Sequence, residues 1–252
     1  LIMCLGYLFT DENSGETPVI PESVLMSCDG NANVANTIAS AVKHILQLGE
    51  TQALKLASNP HDPSLSPLLA TALLWFLVRW CPVYILPINC GSSSTTNPNP
   101  ILTMWNENGS SSQVVNFCLT LCVHYHCFWP QERQVQESAT SLLLSLSNRE
   151  KIRTILVSSP ALQQLATYHC LTASLRHNAS PSELETAIKA KAEGTSIQMV
   201  RGYQRLPYDD RARLLTGLLF STCSTDSQAS TAMFTECLGS VQTAFFQLVQ
   251  AL

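Results

Sequence analysis

Apolar residues recur along this chain at steps of three and four, the spacing of one face of a helix. Val34, Ile38, Ala41, Ile45 and Leu48 step by four, three, four and three. Val135, Ala139, Leu142, Leu143 and Leu146 repeat the pattern, and Leu214, Leu215, Leu218 and Leu219 form a stripe after Pro207. Phe234, Leu238, Val241, Phe245, Leu248 and Leu252 form a last helical stripe, and Leu1–Phe9 also reads as helix. No run alternates apolar and polar residues as a half-buried strand would. The spacing predicts an all-α chain.

The greasiest stretch is Ser66–Pro87. Ser66 supplies a capping hydroxyl and Pro67 fits the first helical position. Leu68, Leu69, Ala72, Leu73, Phe76 and Trp80 fall at helical spacing, while Leu74 and Leu77 carry apolar surface round the cylinder. Such a helix must be buried on most sides, as between other helices. Pro82 lacks an N–H, which predicts a stop at Trp80 or Cys81. The span Leu68–Ile88 is also long enough to cross a bilayer. Arg79 opposes that, at roughly 2.5–3.5 kcal/mol on an insertion scale. Pro82 and Pro87 interrupt the span, and no basic cluster flanks it. In the core reading, Arg79 snorkels to the surface or meets a carboxylate.

Turn residues separate the helices. Asp11–Pro21 is the first loop and Ser58–Pro63 the second. Cys90–Ser112 is the longest, and its GSSSTTNPNP and NENGSSS runs predict one long flexible connection over 90–112. Pro160, Pro181 and Pro207 punctuate the second half. Helices of this kind joined by turns suit a bundle or an α-solenoid of HEAT-like antiparallel helix pairs, the armadillo-type superhelix. With repeats of about 40–47 residues the chain would hold at most about six. Residue 1 is a Leu within a helical pattern, and Phe234–Leu252 ends within another. The expectation is that 1–252 is the central part of a superhelix, truncated at both ends.

Composition narrows the function. Only 13% of the 252 residues are charged, and the net charge is −4 with no basic patch, which argues against nucleic acid as a partner. No charged leader or cleavage site marks a signal peptide. Most of the 10 cysteines lie in apolar runs, among them Cys4, Cys81, Cys118, Cys122, Cys170, Cys223 and Cys237. They read as buried thiols of a reduced, intracellular protein. Asn108-Gly-Ser and Asn178-Ala-Ser match a glycosylation pattern that matters only in a secreted chain.

Candidate chemistry is thin. Cys118, Cys122, His124, His126 and Cys127 crowd into one run, and Cys118, Cys122 and His126 share a helical face. Cysteine with histidine suggests zinc. The run nevertheless reads as one helix from Gln113 to Trp129, and no second ligand pair follows, so packing is the expected role. The Gly-Ser-Ser-Ser run at Gly91 lacks the lysine of a phosphate loop. Asp209 with Asp210, and Glu183 with Glu185, open helices where acids favour the dipole. Arg149, Glu150, Lys151 and Arg153 read as a solvated face. His44, His61, His169 and His177 are isolated. No catalytic, cofactor-binding or metal residue is therefore expected.

Three blocks carry a family resemblance. DENSGETPVIPESVL at Asp11–Leu25 resembles an inter-helix loop of the exportins, within the importin-β/karyopherin family, in which Gly-Glu-Thr-Pro leads into Ile-Pro. LLWFLVRW at Leu73–Trp80, followed by Tyr84, Ile85 and Leu86, is similar to the family's Trp-Phe-Leu-x-Arg-Trp helix. LPYDDRARLLTGLL at Leu206–Leu219 resembles a family helix that opens on a Pro and runs through an Arg. The blocks keep the family's order, and Ser111–Tyr168 fits between them helix for helix. The loop Cys90–Ser112 departs from the family.

The resemblance implies a superhelix of HEAT repeats in a nuclear transport receptor. Its partners would be Ran in the GTP form, nucleoporins and protein cargo such as the hypusine-containing translation factor. It would shuttle between nucleus and cytoplasm, and it would meet GTP only through Ran. It implies neither catalysis nor membrane insertion. The matched blocks are packing and loop segments, so no Ran- or cargo-contact residue is assigned. A non-transport HEAT or armadillo scaffold shares every feature except these blocks, and a membrane protein built around 68–88 is the remaining alternative.

Overall fold

A computed structural model describes the chain except residues 12–17, 86–99, 106–109, 175–181, 184, 187, 189–195, 224–227 and 252. The described residues are helical apart from turns and an isolated bridge between Asp11 and Val19. The helices are α1 (Ile2–Phe9), α2 (Glu22–Cys28), α3 (Ala32–Ser58), α4 (Pro67–Tyr84), α5 (Pro100–Thr103) and α6 (Ser110–Phe128). They continue as α7 (Arg133–Ser147), α8 (Glu150–Ser158), α9 (Pro160–Ser174), α10 (Ile197–Gln204), α11 (Tyr208–Thr222) and α12 (Gln228–Ala251).

Caps and breakers explain most boundaries. Asn31 starts α3, its side-chain oxygen accepting from the Val34 N–H at 3.3 Å, just after Gly30 turns the chain at φ 64°. α3 then runs 27 residues, because nothing breaks it before Asn59 and Pro60. Ser66 caps α4 as its sequence suggests, accepting from the Leu69 N–H at 3.3 Å.

The long helices pack in two rows. In one row α1 packs on α4, α4 on α7, and α7 on α11. In the other α3 packs on α6, α6 on α9, and α9 on α12. Contacts of α3 with α4, α6 with α7 and α9 with α11 join the rows. Helix α10 lies across α6 and α9, and α8 sits among α7, α9, α11 and α12.

Helix α4 is the one described helix long and apolar enough to cross a membrane. Its surroundings are those of a core helix: Leu73, Leu74, Phe76, Leu77 and Trp80 are buried against other helices. Phe76, Trp80 and Tyr84 stack one turn apart, and the Trp105 ring meets Trp80 edge-on at 4.9 Å.

Two expectations about this region are corrected. Pro82 does not end α4, which continues to Tyr84. Only one backbone bond is lost by a proline there. Burial of Val83 and Tyr84 holds the last turn, and the Tyr84 hydroxyl donates to the Phe9 carbonyl at 2.8 Å. The polar stretch 90–112 is also not loop throughout. It contains α5 and the beginning of α6, and Ile101 and Trp105 are buried in the core.

Arg79 does not snorkel to the surface but turns back onto α1. It is half-buried, and its Nε donates to the Thr10 hydroxyl at 3.2 Å while an Nη donates to the Thr10 carbonyl at 3.4 Å. Its guanidinium stands 5.1 Å from the Tyr7 ring and 5.0 Å from the Trp75 ring. Trp75 is accordingly only half-buried, unlike Phe76. The Leu73–Tyr84 segment thus clamps the carbonyl end of α1, where the helix dipole favours a cation. Arg79→Ala should lower unfolding free energy by about 2–3 kcal/mol, from charged hydrogen bonds and ring stacking together. Urea melts of the variant measure this, and a loss under about 0.5 kcal/mol, the scale of a neutral surface change, would contradict the clamp.

Candidate functional site

The Cys–His run occupies the second half of α6, which packs against α3, α7, α8, α9 and α10. Cys118, Cys122, Tyr125, His126 and Cys127 are all buried. Their polar atoms point to different neighbours. Cys118 Sγ lies 3.8 Å from Cys81 Sγ on α4, and Cys122 Sγ lies 3.3 Å from the Ala139 carbonyl on α7. The Cys81 contact and then burial raise the Cys118 thiol, and burial raises those of Cys122 and Cys127. Thiols held protonated are poor metal ligands and poor nucleophiles.

His126 is held by Gln136 of α7. The Gln136 amide donates to the Tyr125 carbonyl at 2.9 Å and the Trp129 carbonyl at 2.7 Å, closing the end of α6. Its Oε1 therefore accepts from His126 Nδ1–H. That assigns the Nδ1–H tautomer, and Nε2 faces the core. Burial pulls the His126 pKa down to about 4, against the partial compensation of the Gln136 bond. His124 is lowered by burial as well.

Among the described residues, no three His, Cys, Asp or Glu side chains converge as a metal-binding group. The helical face shared by Cys118, Cys122 and His126 is spent on packing against α4 and α7. Metal analysis of reduced, purified protein should find far less than one zinc per chain. A full equivalent whose removal by a chelator unfolds the protein would overturn the packing assignment.

The remaining candidates also find structural surroundings. Asp209 and Asp210 lie in the first turn of α11, and Asp210 is buried with its carboxyl raised by desolvation. Glu183 and Glu185 are helical and exposed. The charged run at 149–153 is more than a solvated face. Arg153 Nε donates to the Ser147 carbonyl at 3.1 Å and its Nη to the Cys223 carbonyl at 3.1 Å, tying together the carbonyl ends of α7 and α11. His44 is exposed and bonds to the Ser40 carbonyl at 2.7 Å. His169 is buried 3.1 Å from the Tyr203 hydroxyl, and burial, reinforced by Arg211, lowers its pKa to about 4. Gly91, Asn108, His177 and Asn178 lie outside the described residues.

The cysteines divide by exposure. Cys28, Cys81, Cys118, Cys122, Cys127, Cys170 and Cys237 are buried, while Cys4 and Cys223 are exposed. No disulfide joins any of them among the described residues.

What the described surface offers is shape. One groove of about 450 Å³ runs between the α3–α4 turn, the end of α6 and α10, lined by His61, Arg201 and Arg205 among others. Another of about 400 Å³ lies between α3 and Trp105. The sequence reading missed both. Arg201 and Arg205 lie one helical turn apart, a local signal, but the groove needs α6 and α10 to be brought together.

A search with models of known protein families finds no match to this chain.

Proposed function

We propose that the chain is part of a nuclear transport receptor of the importin-β/karyopherin family, of the exportin-4 kind. In this reading it binds Ran in the GTP form together with a protein cargo and passes the pore by contact with nucleoporins. The hypusine-containing translation factor is the cargo that the resemblance suggests. The chain performs no chemistry of its own, and it shuttles between nucleus and cytoplasm.

The observation that carries the reading is the pair of helix rows. The helices of each row stack on their neighbours in that row, and α6 with α7 and α11 with α12 pack across, which suits the stacked helix pairs of an α-solenoid of HEAT-like units. The resemblance of Leu73–Trp80 to the exportin helix supports it further. That block sits at the centre of α4, where it packs against α1 and α7. The block Leu206–Leu219 falls on the start and body of α11. Residues 12–17 of the Asp11–Leu25 block lie outside the described residues.

The test is a pull-down of the full-length protein with Ran locked in its GTP state, with and without cargo. Binding should require the GTP form and rise when cargo is present, because the two ligands couple through one scaffold. The present 252 residues alone should bind both weakly, since a solenoid gathers contacts from many repeats. Equal affinity of the two proteins for Ran would end the distributed-contact model. Absence of any Ran dependence in the full-length protein would end the exportin reading.

A scaffold outside transport would be built from the same rows. Binding of the full-length protein to phenylalanine–glycine nucleoporin segments separates the two, since only the receptor needs it.

A further inference from the structure

Helix α10 presents two unlike faces. Met199, Val200 and Tyr203 are buried, whereas Gln198, Arg201 and Arg205 line the larger groove. Positions 198, 201 and 205 advance by three and four, so they share one side of the helix. Opposite them, Pro60 and His61 form one wall, and Phe128 and Pro130 form another. Gly202 lets α10 lie directly against the Cys127 carbonyl of α6. The arginines therefore project from a fixed platform.

The charge in this groove is one-sided. Among the described residues no Asp or Glu lines it. Among the described residues the ion pair is Arg133 with Glu137, and neither Arg201 nor Arg205 has a carboxylate partner. The chain as a whole carries net charge −4 from 14 Lys and Arg against 18 Asp and Glu, so two adjacent unpaired arginines are a local exception. Guanidinium groups bind carboxylates in bidentate fashion. Residues four apart on a helix are separated by about 6 Å along its axis. Side chains two apart on an extended strand are separated by about 6.6 Å.

We propose that this groove binds an extended acidic segment of a partner protein. Two carboxylates at alternate positions engage Arg201 and Arg205, and an apolar side chain two residues further on lies against Phe128 and Ile197. A nucleic acid fits less well, because two arginines make too small a footprint on an acidic molecule. The inference stands whether or not the chain is a transport receptor.

The probe is a fluorescein-labelled peptide, Ser-Glu-Ser-Glu-Ser-Leu-Ser, titrated by anisotropy against the protein. Its twin with Gln for Glu should bind at least about tenfold more weakly. The double variant Arg201→Ala with Arg205→Ala should lose about tenfold or more, with unchanged helical circular dichroism. Arg149→Ala, outside the groove, should bind like the parent. Raising salt should weaken the complex. Equal binding of the two peptides, or full binding by the double variant, overturns the proposal. So does displacement of the peptide by inorganic phosphate or by a uridine oligonucleotide at equal concentration, which would mark a general anion site.

Discussion

Stability should fall steeply as pH drops from 7 toward 4. His126 and His169 are both buried and neutral, with pKa values lowered to about 4 by desolvation, and at His169 by Arg211 as well. In the unfolded chain each titrates near 6.5. Between those values the unfolded state holds more protons than the native state, so stability rises with pH across the window and is lost on acidification. A gap of that size is worth about 3 kcal/mol for each histidine. Together they approach the whole net stability of a typical domain, about 5–15 kcal/mol. His124 adds in the same direction. Asp210 opposes, because its raised carboxyl takes a proton more readily in the folded state.

Urea melts at intervals between pH 7 and 4.5 measure the slope. His126→Gln should remove about half of it while keeping a donor for Gln136. A flat profile for the parent over this range would show that these imidazoles are not buried and neutral.

Gly202→Val should prevent folding, and Gly202→Ala should cost more than about 4 kcal/mol, a size that is exceptional for one substitution. A methyl group at this position would overlap the Cys127 carbonyl oxygen and crowd its carbon. Both atoms belong to helix backbone, so no flexible side chain can yield. Relief requires α10 to lift from α6, which strips cover from Met199, Val200 and Tyr203. Gly239→Ala is the control. A methyl there meets nothing within 4 Å, and in a helix it should be neutral or stabilising by up to about 1 kcal/mol. Equal melting of the two variants would remove the close approach of α6 and α10.

The helices were legible because their apolar spacing is strong and their caps are local. Asn31, Ser66 and Pro67 act within one turn of themselves, so a linear reading reaches them. What escaped depends on distant partners. Pro82 reads locally as a helix stop, yet Tyr84 is held by a carbonyl 75 positions earlier. Arg79 finds Thr10 69 positions away, with Tyr7 completing the clamp from the same helix. Trp105 looked like loop because its neighbours are polar, yet one indole against Trp80 is enough to draw that segment inward. The packing role of the Cys–His run was readable from its helical context. Gln136, which fixes the His126 tautomer, lies on the next helix and left no local sign.

The uneven burial of the thiols gives the molecule an internal chronometer for local opening. Cys4 and Cys223 stand in solvent, so an alkylating reagent should consume them within the first moments. The buried ones, Cys28, Cys81, Cys118, Cys122, Cys127, Cys170 and Cys237, wait until the helix that holds them opens, because a shielded, protonated sulfur does not react. They are distributed over α2, α4, α6, α9 and α12, so each modified mass reports a different part of the stack. Cys28 on α2 and Cys237 on α12 belong to peripheral helices, whereas Cys118 and Cys122 lie in α6, packed against α3, α7 and α9. Alkylation should therefore proceed from the periphery inward, and the order of adducts would chart how the array comes apart.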